Sequence, residues 1–370
     1  MLFRSDFVED RRCRDALRRG GVIKRIALTK FSTKFPSIYR RRTPMKIQGA
    51  RILITGGAGL IGSATTDLLL RAHAPQSIVI FDNLVRGSVD NLASALRDPR
   101  VQWVEGDIRD AAAVQRACAG MDAVIHLAAL RITACAADPQ LALQVMCDGS
   151  FNVVDAASAA GVKKIVAASS ASIYGMADSF PTREDHHPYN NDTWYGTSKV
   201  MLEGLLRSYR AMHGMPYAAM RYFNVYGPRM DVHGKYTEVL IRWMERISAG
   251  KPPLILGDGQ QTMDFVYIDD VARANVLALQ SDCVDDVFNV ASGVETSLRD
   301  LAQALLTVMG VPRMHPEHGP QRSVNAVPRR LASTEKSERL LGFKAQVELH
   351  RGLRLLVDWW REQRAVAACA

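Results

Sequence analysis

From residue 51 onward, short apolar runs alternate with longer stretches of helical periodicity, such as 63–72 and 148–160. Each run is rich in branched residues and nearly continuous, which is typical of a strand buried on both faces of a parallel sheet. Repeated strand–helix–strand units with right-handed crossovers build a doubly wound sheet. The sequence therefore predicts an α/β fold with a doubly wound parallel sheet. The predicted strands are RILIT (51–55), SIVIF (77–81), VQWVEG (101–106), AVIHLA (123–128), KIVAAS (164–169) and YAAMR (217–221).

The stretch ILITGGAGLIGS places Gly56, Gly59 and Gly62 directly after the first strand and at the opening of a helix. Glycine permits a tight turn and a close approach of the backbone to a ligand, and a helix amino terminus favours a pyrophosphate. This context predicts a Rossmann-type dinucleotide site. Its predicted turn residues are Gly56, Gly59, Leu60, Ile61 and Gly62.

An acidic residue, Asp82, ends the second strand 20 positions beyond Gly62. A carboxylate at this place can bond both ribose hydroxyls of an adenosine, and it repels a 2′-phosphate. We therefore predict NAD rather than NADP as the cofactor, with Asn83 beside Asp82 in the site. Arg86 is the one nearby residue that could weaken this preference.

The two halves of the chain differ in pattern, because Gly- and Pro-rich loops replace the regular alternation after about residue 222. A helix is expected near 237–249, a strand at 286–292 and an amphipathic terminal helix at 349–364. We predict a basic, disordered leader, an NAD-binding Rossmann domain, and a smaller C-terminal α/β substrate-binding lobe whose strand near 286–292 returns to the main sheet. The predicted bounds are 1–45, 46–222 and 223–366.

The net charge of +9 is confined to the first 44 residues, which hold 13 Lys and Arg and 4 Asp and Glu. The remaining residues hold 34 of each sign, so the predicted body has no field that attracts nucleic acid or an anionic membrane. The six cysteines lack the C-x-x-C spacing of a zinc site and suit a reducing compartment. We therefore predict a cytoplasmic protein without a metal site, a nucleic-acid partner or a membrane span.

Further motifs give the chain a family resemblance that runs from about residue 50 to 345. The spacing G-x-x-G-x-x-G, in the form TGGAGLIG, resembles the extended short-chain dehydrogenase/reductases, and within them the NAD-dependent epimerase/dehydratase family. GDIRD at 106–110 resembles that family's adenine-contacting segment, and HLAA at 126–129 resembles the segment lining the middle of the cofactor. The resemblance implies cofactor contacts from Asp107, Ile108, Leu127, Ala128 and Ala129.

WYGTSK at 194–199 resembles the family's Tyr-x-x-x-Lys, and ASSASIYG resembles its serine-bearing strand end. A helix starting near Thr193 places Tyr195 and Lys199 one turn apart on one face. Removing a hydride from a sugar carbon requires loss of the hydroxyl proton, and a tyrosinate favoured by nearby cations can take it. We predict Tyr195 as the base and Ser170 as the hydrogen-bond partner of the sugar oxygen. Lys199 is expected to lower the Tyr195 pKa and to hold the nicotinamide ribose.

The two residues after Ser170 bear on the reaction type. Family members that act as 4,6-dehydratases carry an Asp-Glu pair there, and decarboxylases keep a glutamate at the second place. This chain has Ala171 and Ser172, and neither can supply the acid or base that those reactions require. The resemblance thus implies an NAD-dependent nucleotide-sugar 4-epimerase, similar to the UDP-glucose 4-epimerases, that works through a 4-keto intermediate with Ser172 at the sugar. Three alternatives stay open: a decarboxylase or dehydratase using the same intermediate, a non-catalytic NAD-binding scaffold, and a nucleic-acid role of the leader.

Substrate contacts are predicted in the second half of the chain. RYFNVYGPR resembles the segment whose asparagine, here Asn224, touches the substrate diphosphate in the family. Met263 stands where the family usually has a phosphate-binding arginine, so this nucleotide contact is missing. Arg322 is the candidate for the second phosphate-binding arginine, with Arg329 and Arg330 as competitors.

The implied partners are a nucleotide-diphosphate sugar, expected to be a UDP-sugar, and a second copy of the chain. The family resemblance implies a homodimer built from two helices per subunit, here near 140–160 and 197–213. Met146 is a further departure, because the family often has an asparagine at that place.

Overall fold

The computed structural model describes residues 44–232, 238–321 and 327–369. Two sequence predictions fall outside the described residues: nearly all of the leader, at 1–43, and the candidate phosphate ligand Arg322. Across the described ranges, no helix is both long and apolar enough to cross a membrane.

The described residues form twelve strands and eleven α-helices in alternating order through the first half of the chain. The strands are β1 (Arg51–Thr55), β2 (Ser77–Asp82), β3 (Val101–Glu105), β4 (Ala123–His126), β5 (Lys164–Ser170), β6 (Tyr217–Tyr222), β7 (Asn224–Tyr226), β8 (Leu254–Leu256), β9 (Thr262–Tyr267), β10 (Asp285–Val290), β11 (Glu295–Ser297) and β12 (Glu317–Gly319). The helices are α1 (Leu60–Ala72), α2 (Ala111–Cys118), α3 (Ile132–Ala137), α4 (Pro139–Ala142), α5 (Gly149–Ala159), α6 (Trp194–His213), α7 (Val239–Ser248), α8 (Ile268–Gln280), α9 (Leu298–Val308), α10 (Glu335–Leu341) and α11 (Leu349–Cys369).

The main sheet has seven strands in the part of the chain that is described, in the order β10-β6-β5-β4-β1-β2-β3, and all neighbours are parallel. The predicted doubly wound α/β sheet is therefore confirmed. The strand order reverses between β1 and β4, and ligands of such sheets bind in the crevice outside the carboxyl ends of the strands at this point. β10 comes from the second half of the chain and pairs with β6 at the edge of the sheet.

Helices cover both faces of the sheet. Along β1, Ile52 and Ile54 pack into the core cluster that includes residues of α1 and α8, whereas Leu53 packs into the cluster that includes residues of α2, α5 and α6. All three side chains are fully buried, because successive residues of a central strand point to opposite faces. This explains why the strand runs are continuously apolar in the sequence.

Two small sheets lie in the second half of the chain. β9 pairs with β7 in parallel and with β11 in antiparallel orientation, and β8 pairs with β12. An isolated bridge joins Thr182 to Ala332, so the segment before α10 contacts the loop that precedes α6.

A buried histidine lies at the end of β4, beside the point where the strand order reverses. His126 Nδ1 is 2.7 Å from the Thr55 hydroxyl, and its Nε2 is 3.1 Å from the Ser150 hydroxyl. Burial, and to a smaller degree the charge of Lys199, lowers the pKa of His126 to about 3. The imidazole is therefore neutral in the folded protein at physiological pH.

This histidine predicts a loss of stability in acid. A histidine in an unfolded chain has a pKa of about 6.5. Below this pH the unfolded state binds a proton at residue 126 that the folded state does not bind, so the free energy of unfolding falls by about 1.4 kcal/mol per pH unit. Between pH 6.5 and 5 we expect His126 to contribute a loss of about 2 kcal/mol. Urea unfolding of the wild type and of His126→Gln across this range measures it. Parallel pH slopes for the two proteins would refute it.

Candidate active site

The glycine turn after β1 is closed by backbone contacts on both sides. A Cβ at Gly56 would lie 2.6 Å from the backbone nitrogen of Ala128, and a Cβ at Gly62 would lie 2.5 Å from the Cα of Gly57. Real Cβ atoms do not approach backbone atoms this closely, so α1 can pack against the turn only with glycine at these positions. A Cβ at Gly59 would meet, among the described residues, only the Gly56 carbonyl oxygen, at 3.3 Å.

The amino terminus of α1 is available for an anion. Gly59 is its cap residue, and no described side chain caps it by a hydrogen bond. The N–H groups of the first helical turn, which begins at Leu60 and Ile61, have no carbonyl partner within the helix. They lie at the carboxyl edge of β1, where a pyrophosphate is expected to bind.

Asp82 ends β2 next to this turn. Its Oδ2 accepts a hydrogen bond from the Ala58 N–H at 3.0 Å, and its Oδ1 accepts one from the Leu84 N–H at 2.8 Å. Burial raises the pKa of Asp82, while the two backbone donors and the charge of Arg86 lower it. The carboxylate is thus held in one orientation beside the glycine turn, as a ribose contact requires.

The next predicted cofactor residues lie close by. Asn83 Nδ2 donates to Asp107 Oδ2 at 2.9 Å, and the side-chain hydrogen bond from Arg109 is the largest cause that lowers the pKa of Asp107 to about 2. Ile108 is buried, and its carbonyl accepts a hydrogen bond from Asn152. The segment Leu127, Ala128 and Ala129 follows β4, and its first N–H donates to the Thr55 carbonyl. The amino terminus of α1, the glycine turn after β1 and the Asp82 carboxylate together fit a dinucleotide.

The predicted catalytic residues converge at the carboxyl end of β5. Ser170 is the last residue of this strand and is buried, and its hydroxyl lies close enough to the Tyr195 phenol to lower the pKa of that group. The Lys199 ammonium is buried, donates to the Ala168 carbonyl at 2.6 Å and lies 5.7 Å from the centre of the Tyr195 ring. The structure therefore brings all three side chains together.

The sequence before α6 fixes where the helix begins. Thr193 is its cap residue and accepts a hydrogen bond from the Gly196 N–H at 3.0 Å, which confirms the predicted start of the helix. A Cβ at Gly196 would lie 2.6 Å from the Ser172 carbonyl oxygen. The glycine between Tyr195 and Lys199 thus lets the helix approach the turn that follows Ser170.

A buried ion pair joins α6 to β6. Glu203, one turn after Lys199, accepts two hydrogen bonds from Arg221 of β6 at 2.7 and 2.8 Å and one from the Ser169 hydroxyl at 2.6 Å. Arg221 also donates to the hydroxyl of Tyr174. Every charged group in this network is hydrogen-bonded, so the network orients α6 against β5 and β6.

The pKa values of the catalytic pair are perturbed by burial. Burial raises the pKa of Tyr195, and the neighbouring Ser170 hydroxyl lowers it. The positive charges of Arg86 and Arg330 lower it further. Burial also lowers the pKa of Lys199 to about 8. We expected Lys199 and the positive charge of the nicotinamide to act on the phenol; Arg86 and Arg330 are two further cations that lower its pKa.

Apolar residues surround the other side of the Tyr195 ring. Cys135 and Met146 are buried and form a small cluster against which Leu130 and Tyr195 pack. Met146 Sδ accepts a hydrogen bond from the Leu130 N–H. The methionine that departs from the family pattern therefore fills space beside the phenol and adds to its desolvation.

One group of charges near the phenol was not predicted from the sequence. Arg86 interacts electrostatically with Tyr195, Arg131 and Glu238. Arg131 Nη2 lies 3.0 Å from Glu238 Oε1 and 3.6 Å from Asp231 Oδ2. The available signal was that both arginines stand in loops that follow strand ends, where active sites of open sheets form.

The two described candidates for the second arginine differ in position. Arg329 forms two hydrogen bonds with Glu295, at 2.7 and 2.9 Å, and is exposed. Arg330 Nη1 lies 3.5 Å from the Ser172 hydroxyl, and its charge acts on Tyr195. Arg330 is therefore the one of the two that reaches the catalytic side chains.

Asn224 and Met263 lie in the smaller three-stranded sheet. Asn224 of β7 donates from Nδ2 to the Asp264 carbonyl at 3.1 Å, which leaves its amide oxygen and one N–H for a ligand. Met263 of β9 is half-buried and pairs in register with Thr296. The Asp264 carboxylate anchors the loop after β10 through Ser292 and Gly293.

The comparison with known families decides the class of protein. The model of the NAD dependent epimerase/dehydratase family matches residues 52–291. The chain belongs to this family. The resemblance inferred from the motifs is therefore confirmed, and so are an enzymatic role and NAD as the cofactor.

Similar proteins within the family are named as epimerases. The chain is 37% identical to a UDP-glucose 4-epimerase of Mycolicibacterium smegmatis over 85% of its own length and 99% of that protein. The solved UDP-glucose 4-epimerase of Thermotoga maritima, in complex with UDP-glucose, is 32% identical with a TM-score of 0.79, covering 85% of this chain and 99% of that one. The UDP-N-acetylglucosamine 4-epimerase of Methanobrevibacter ruminantium is 29% identical with a TM-score of 0.80, again over 85% and 99%.

Proposed function

We propose that this protein is an NAD-dependent 4-epimerase of nucleotide-diphosphate sugars, acting on a UDP-sugar. The observation that carries the proposal is the convergence of Ser170, Tyr195 and Lys199 at the sheet edge, followed by a turn, Ala171–Tyr174, that has no acidic side chain. We further propose that residues 46–222 bind the cofactor and that 223–366 bind most of the substrate. The similarity to proteins named as epimerases supports the proposed reaction.

Each catalytic side chain has a distinct part in the proposed reaction. Tyr195 takes the proton of the C4 hydroxyl and later returns it, while the Ser170 hydroxyl bonds the same sugar oxygen. Lys199 uses one N–H on Ala168, which leaves two donors to hold the nicotinamide ribose. NAD, when bound, would supply the acceptor for the C4 hydride and the donor that returns it to the sugar. The positive charges of Arg86 and Arg330 favour the phenolate form of Tyr195.

The remaining proposed contacts follow from the site as described. Gly56, Gly59 and Gly62 with the first turn of α1 hold the pyrophosphate, and Asp82 holds the adenosine ribose. Ser172 and Asn224 contact the substrate. Arg330 is the arginine that we assign to the role of the second phosphate-binding arginine. The other cofactor contacts are assigned to Leu60, Ile61, Asn83, Asp107, Ile108, Leu127, Ala128 and Ala129.

The alternatives of decarboxylase and dehydratase are disfavoured by the turn after Ser170. Ala171 and Ser172 are buried and cannot take a proton from C5 or protonate a leaving group. A non-catalytic scaffold is disfavoured because it has no need for a buried lysine and a phenol with perturbed pKa values in one site.

Proton NMR of the full chain with UDP-glucose, UDP-glucuronate and UDP-N-acetylglucosamine in separate samples tests the proposal. The expected result is growth of the C4-epimer signals of at least one sugar without added NAD. A xylose-type product or a 4-keto-6-deoxy product would overturn the assignment in favour of a decarboxylase or a dehydratase. No turnover with NAD demonstrably bound would favour the scaffold.

The proposed part of Arg330 predicts a change in pH dependence. Because its positive charge lowers the pKa of Tyr195, Arg330→Gln raises that pKa and moves the acid limb of kcat/KM to higher pH. On the acid side of the profile, kcat/KM of Arg330→Gln is expected to be several-fold lower than that of the wild type at the same pH. Arg329→Gln is the matched control, since its guanidinium pairs with Glu295, and it should not move the limb. An unmoved limb in Arg330→Gln would refute this account of the phenol.

We also propose a cytoplasmic homodimer in which α5 and α6 pack against the same helices of a second copy. Phe151 on α5 and Met201 and Met212 on α6 are exposed large apolar residues, and such residues on adjacent helices are typical of an interface. The free cysteines Cys118 and Cys135 suit a reducing compartment. Sedimentation equilibrium of the full chain measures the assembly; a monomer at micromolar concentration would contradict it.

A further inference from the structure

Four residues form a closed ring of hydrogen bonds at the turn that follows β5. Arg221 Nη1 donates to the Tyr174 hydroxyl at 2.9 Å, and this hydroxyl donates to Asn289 Oδ1 at 2.6 Å. The Asn289 N–H donates to Glu184 Oε1 at 2.9 Å. The Glu184 carbonyl accepts from Arg221 Nη1 at 2.9 Å, which closes the hydrogen-bond ring. Its members belong to β6, the turn after β5, β10 and the loop before α6.

The polar groups of the hydrogen-bond ring are buried and satisfied. The side chains of Tyr174, Arg221 and Asn289 are buried. Arg221 also binds both carboxylate oxygens of Glu203, through Nε and Nη2, so four of its five N–H groups have acceptors. The Tyr174 hydroxyl uses its one proton on Asn289. A buried network whose members are all satisfied holds them in one arrangement.

Asn289 connects the hydrogen-bond ring to the segment that carries Arg330. Its Nδ2 donates to the Thr182 carbonyl at 2.9 Å and to the Ser333 carbonyl at 3.0 Å. The two segments also bond each other, because the Ser333 N–H donates to the Thr182 carbonyl at 2.9 Å. Arg330 precedes Ser333 by three residues, so the side chain of Asn289 helps to set where the arginine lies.

Three segments of the proposed active site are therefore joined by one hydrogen-bond ring. Tyr174 ends the turn that contains Ser172. Arg221 is paired with α6, the helix that carries the proposed base, and Asn289 holds the segment of Arg330. Between the first and the third of these segments, Arg330 Nη1 lies 3.5 Å from the Ser172 hydroxyl. The hydrogen-bond ring spans this contact.

We propose that Tyr174 is a positioning residue that holds the turn of Ser172 against the segment of Arg330, so that the substrate meets both at a fixed distance from the base. This inference rests on the proposed epimerase function, in which Ser172 contacts the sugar and Arg330 a phosphate. Loss of the Tyr174 hydroxyl would release the turn from Asn289. The fold should be kept, because the connection through Glu184 remains.

The pKa of the Tyr195 phenol reports this arrangement. Burial raises that pKa, and the Ser170 hydroxyl and the charges of Arg86 and Arg330 lower it. Further titratable groups that face the phenol are Lys199 of α6, Cys135 of α3 and Tyr222 of β6. Movement of Arg330 away from the phenol raises the pKa, and the acid limb of kcat/KM then moves to higher pH.

Tyr174→Phe tests the proposal, because it removes the hydroxyl and keeps the aromatic side chain. We expect kcat/KM to fall about tenfold through misplacement of the substrate, and the acid limb to move to higher pH with bound NAD unchanged. Arg330→Gln moves the limb in the same direction. In that background Tyr174→Phe should add little further movement, because residues that act through one another are not additive.

The matched control is Tyr217→Phe. The Tyr217 hydroxyl is also buried and donates to Asp285 Oδ1 at 2.6 Å, but at the amino end of β6, away from the substrate segments. Tyr217→Phe should lower the urea midpoint much as Tyr174→Phe does, without moving the acid limb. A purely structural effect of losing a buried hydroxyl would appear equally in both variants.

A second measurement separates failure of this inference from failure of the proposed function. Ultraviolet titration of tyrosinate in the NAD-bound protein, taken as the difference between each protein and its Tyr195→Phe counterpart, gives the phenol pKa without turnover. We expect a higher pKa in Tyr174→Phe than in the wild type. If the wild type epimerises no sugar, the proposed function fails, and the titration still decides this inference. An unmoved pKa in folded Tyr174→Phe, or a limb shift that adds fully to that of Arg330→Gln, would overturn it.

Discussion

Tyr195→Phe is expected to lower kcat for epimerisation by roughly 10²–10⁴-fold, the usual contribution of a positioned acid or base. The substitution removes only the phenolic oxygen, which accepts the substrate proton in the proposed reaction and whose pKa the Ser170 hydroxyl lowers. The packing of the ring against Cys135 and Met146 stays, so the fold and NAD content should be unchanged. KM should change little, because the lost interaction is made mainly in the transition state.

The matched control is Tyr189→Phe, which removes the same oxygen from a ring that is 87% exposed in the loop before α6. Its kcat should equal that of the wild type. If Tyr195→Phe kept more than about a tenth of wild-type kcat, well above the residual activity that loss of a general base leaves, another group would be the base.

Gly62→Ala is expected to empty the cofactor site. The added Cβ would lie 2.5 Å from the Gly57 Cα and 2.6 Å from the Gly56 carbonyl oxygen, and these backbone atoms belong to the turn itself. α1 must therefore move away from the turn and take its uncapped N–H groups with it. We expect a loss of about 1–3 kcal/mol in the free energy of unfolding and nearly complete loss of bound NAD.

NAD released from the denatured, purified protein measures the effect, with urea unfolding beside it. Ser63→Ala is the control at the next residue of α1, because it adds no atom and removes only a hydroxyl that donates to the Leu60 carbonyl. Its NAD content should match the wild type. Full NAD content in Gly62→Ala would show that the turn does not hold the cofactor as proposed.

The sheet could be predicted closely because buried parallel strands leave a direct pattern in the sequence. β1 begins and ends where predicted, and β5 and β6 are each one residue longer. The returning strand was predicted at 286–292 and is found at Asp285–Val290. Helix starts were predicted less accurately. α1 begins at Leu60 rather than near 63, because a glycine at the cap position and Gly62 in the first turn are not typical of a helix.

The meeting of Ser170, Tyr195 and Lys199 at one site could also be predicted, because each of them follows a strand end or a helix start that has a local signal. The charges around it could not. Arg330 reaches Ser172 from 158 positions away, and the ion pair of Arg131 with Glu238 joins two distant loops. Such contacts depend on how the loops pack, and no local period or spacing records them.

The most direct test of the central claim uses a UDP-sugar that carries deuterium at C4, with the full chain and no added NAD. The account predicts that the C4 epimer forms and keeps its deuterium, and that no solvent hydrogen enters C4 or C5. This follows because Tyr195 exchanges only the hydroxyl proton, and no side chain in the turn after Ser170 can take a proton from C5. Loss of the deuterium to solvent, or exchange at C5, would contradict the account.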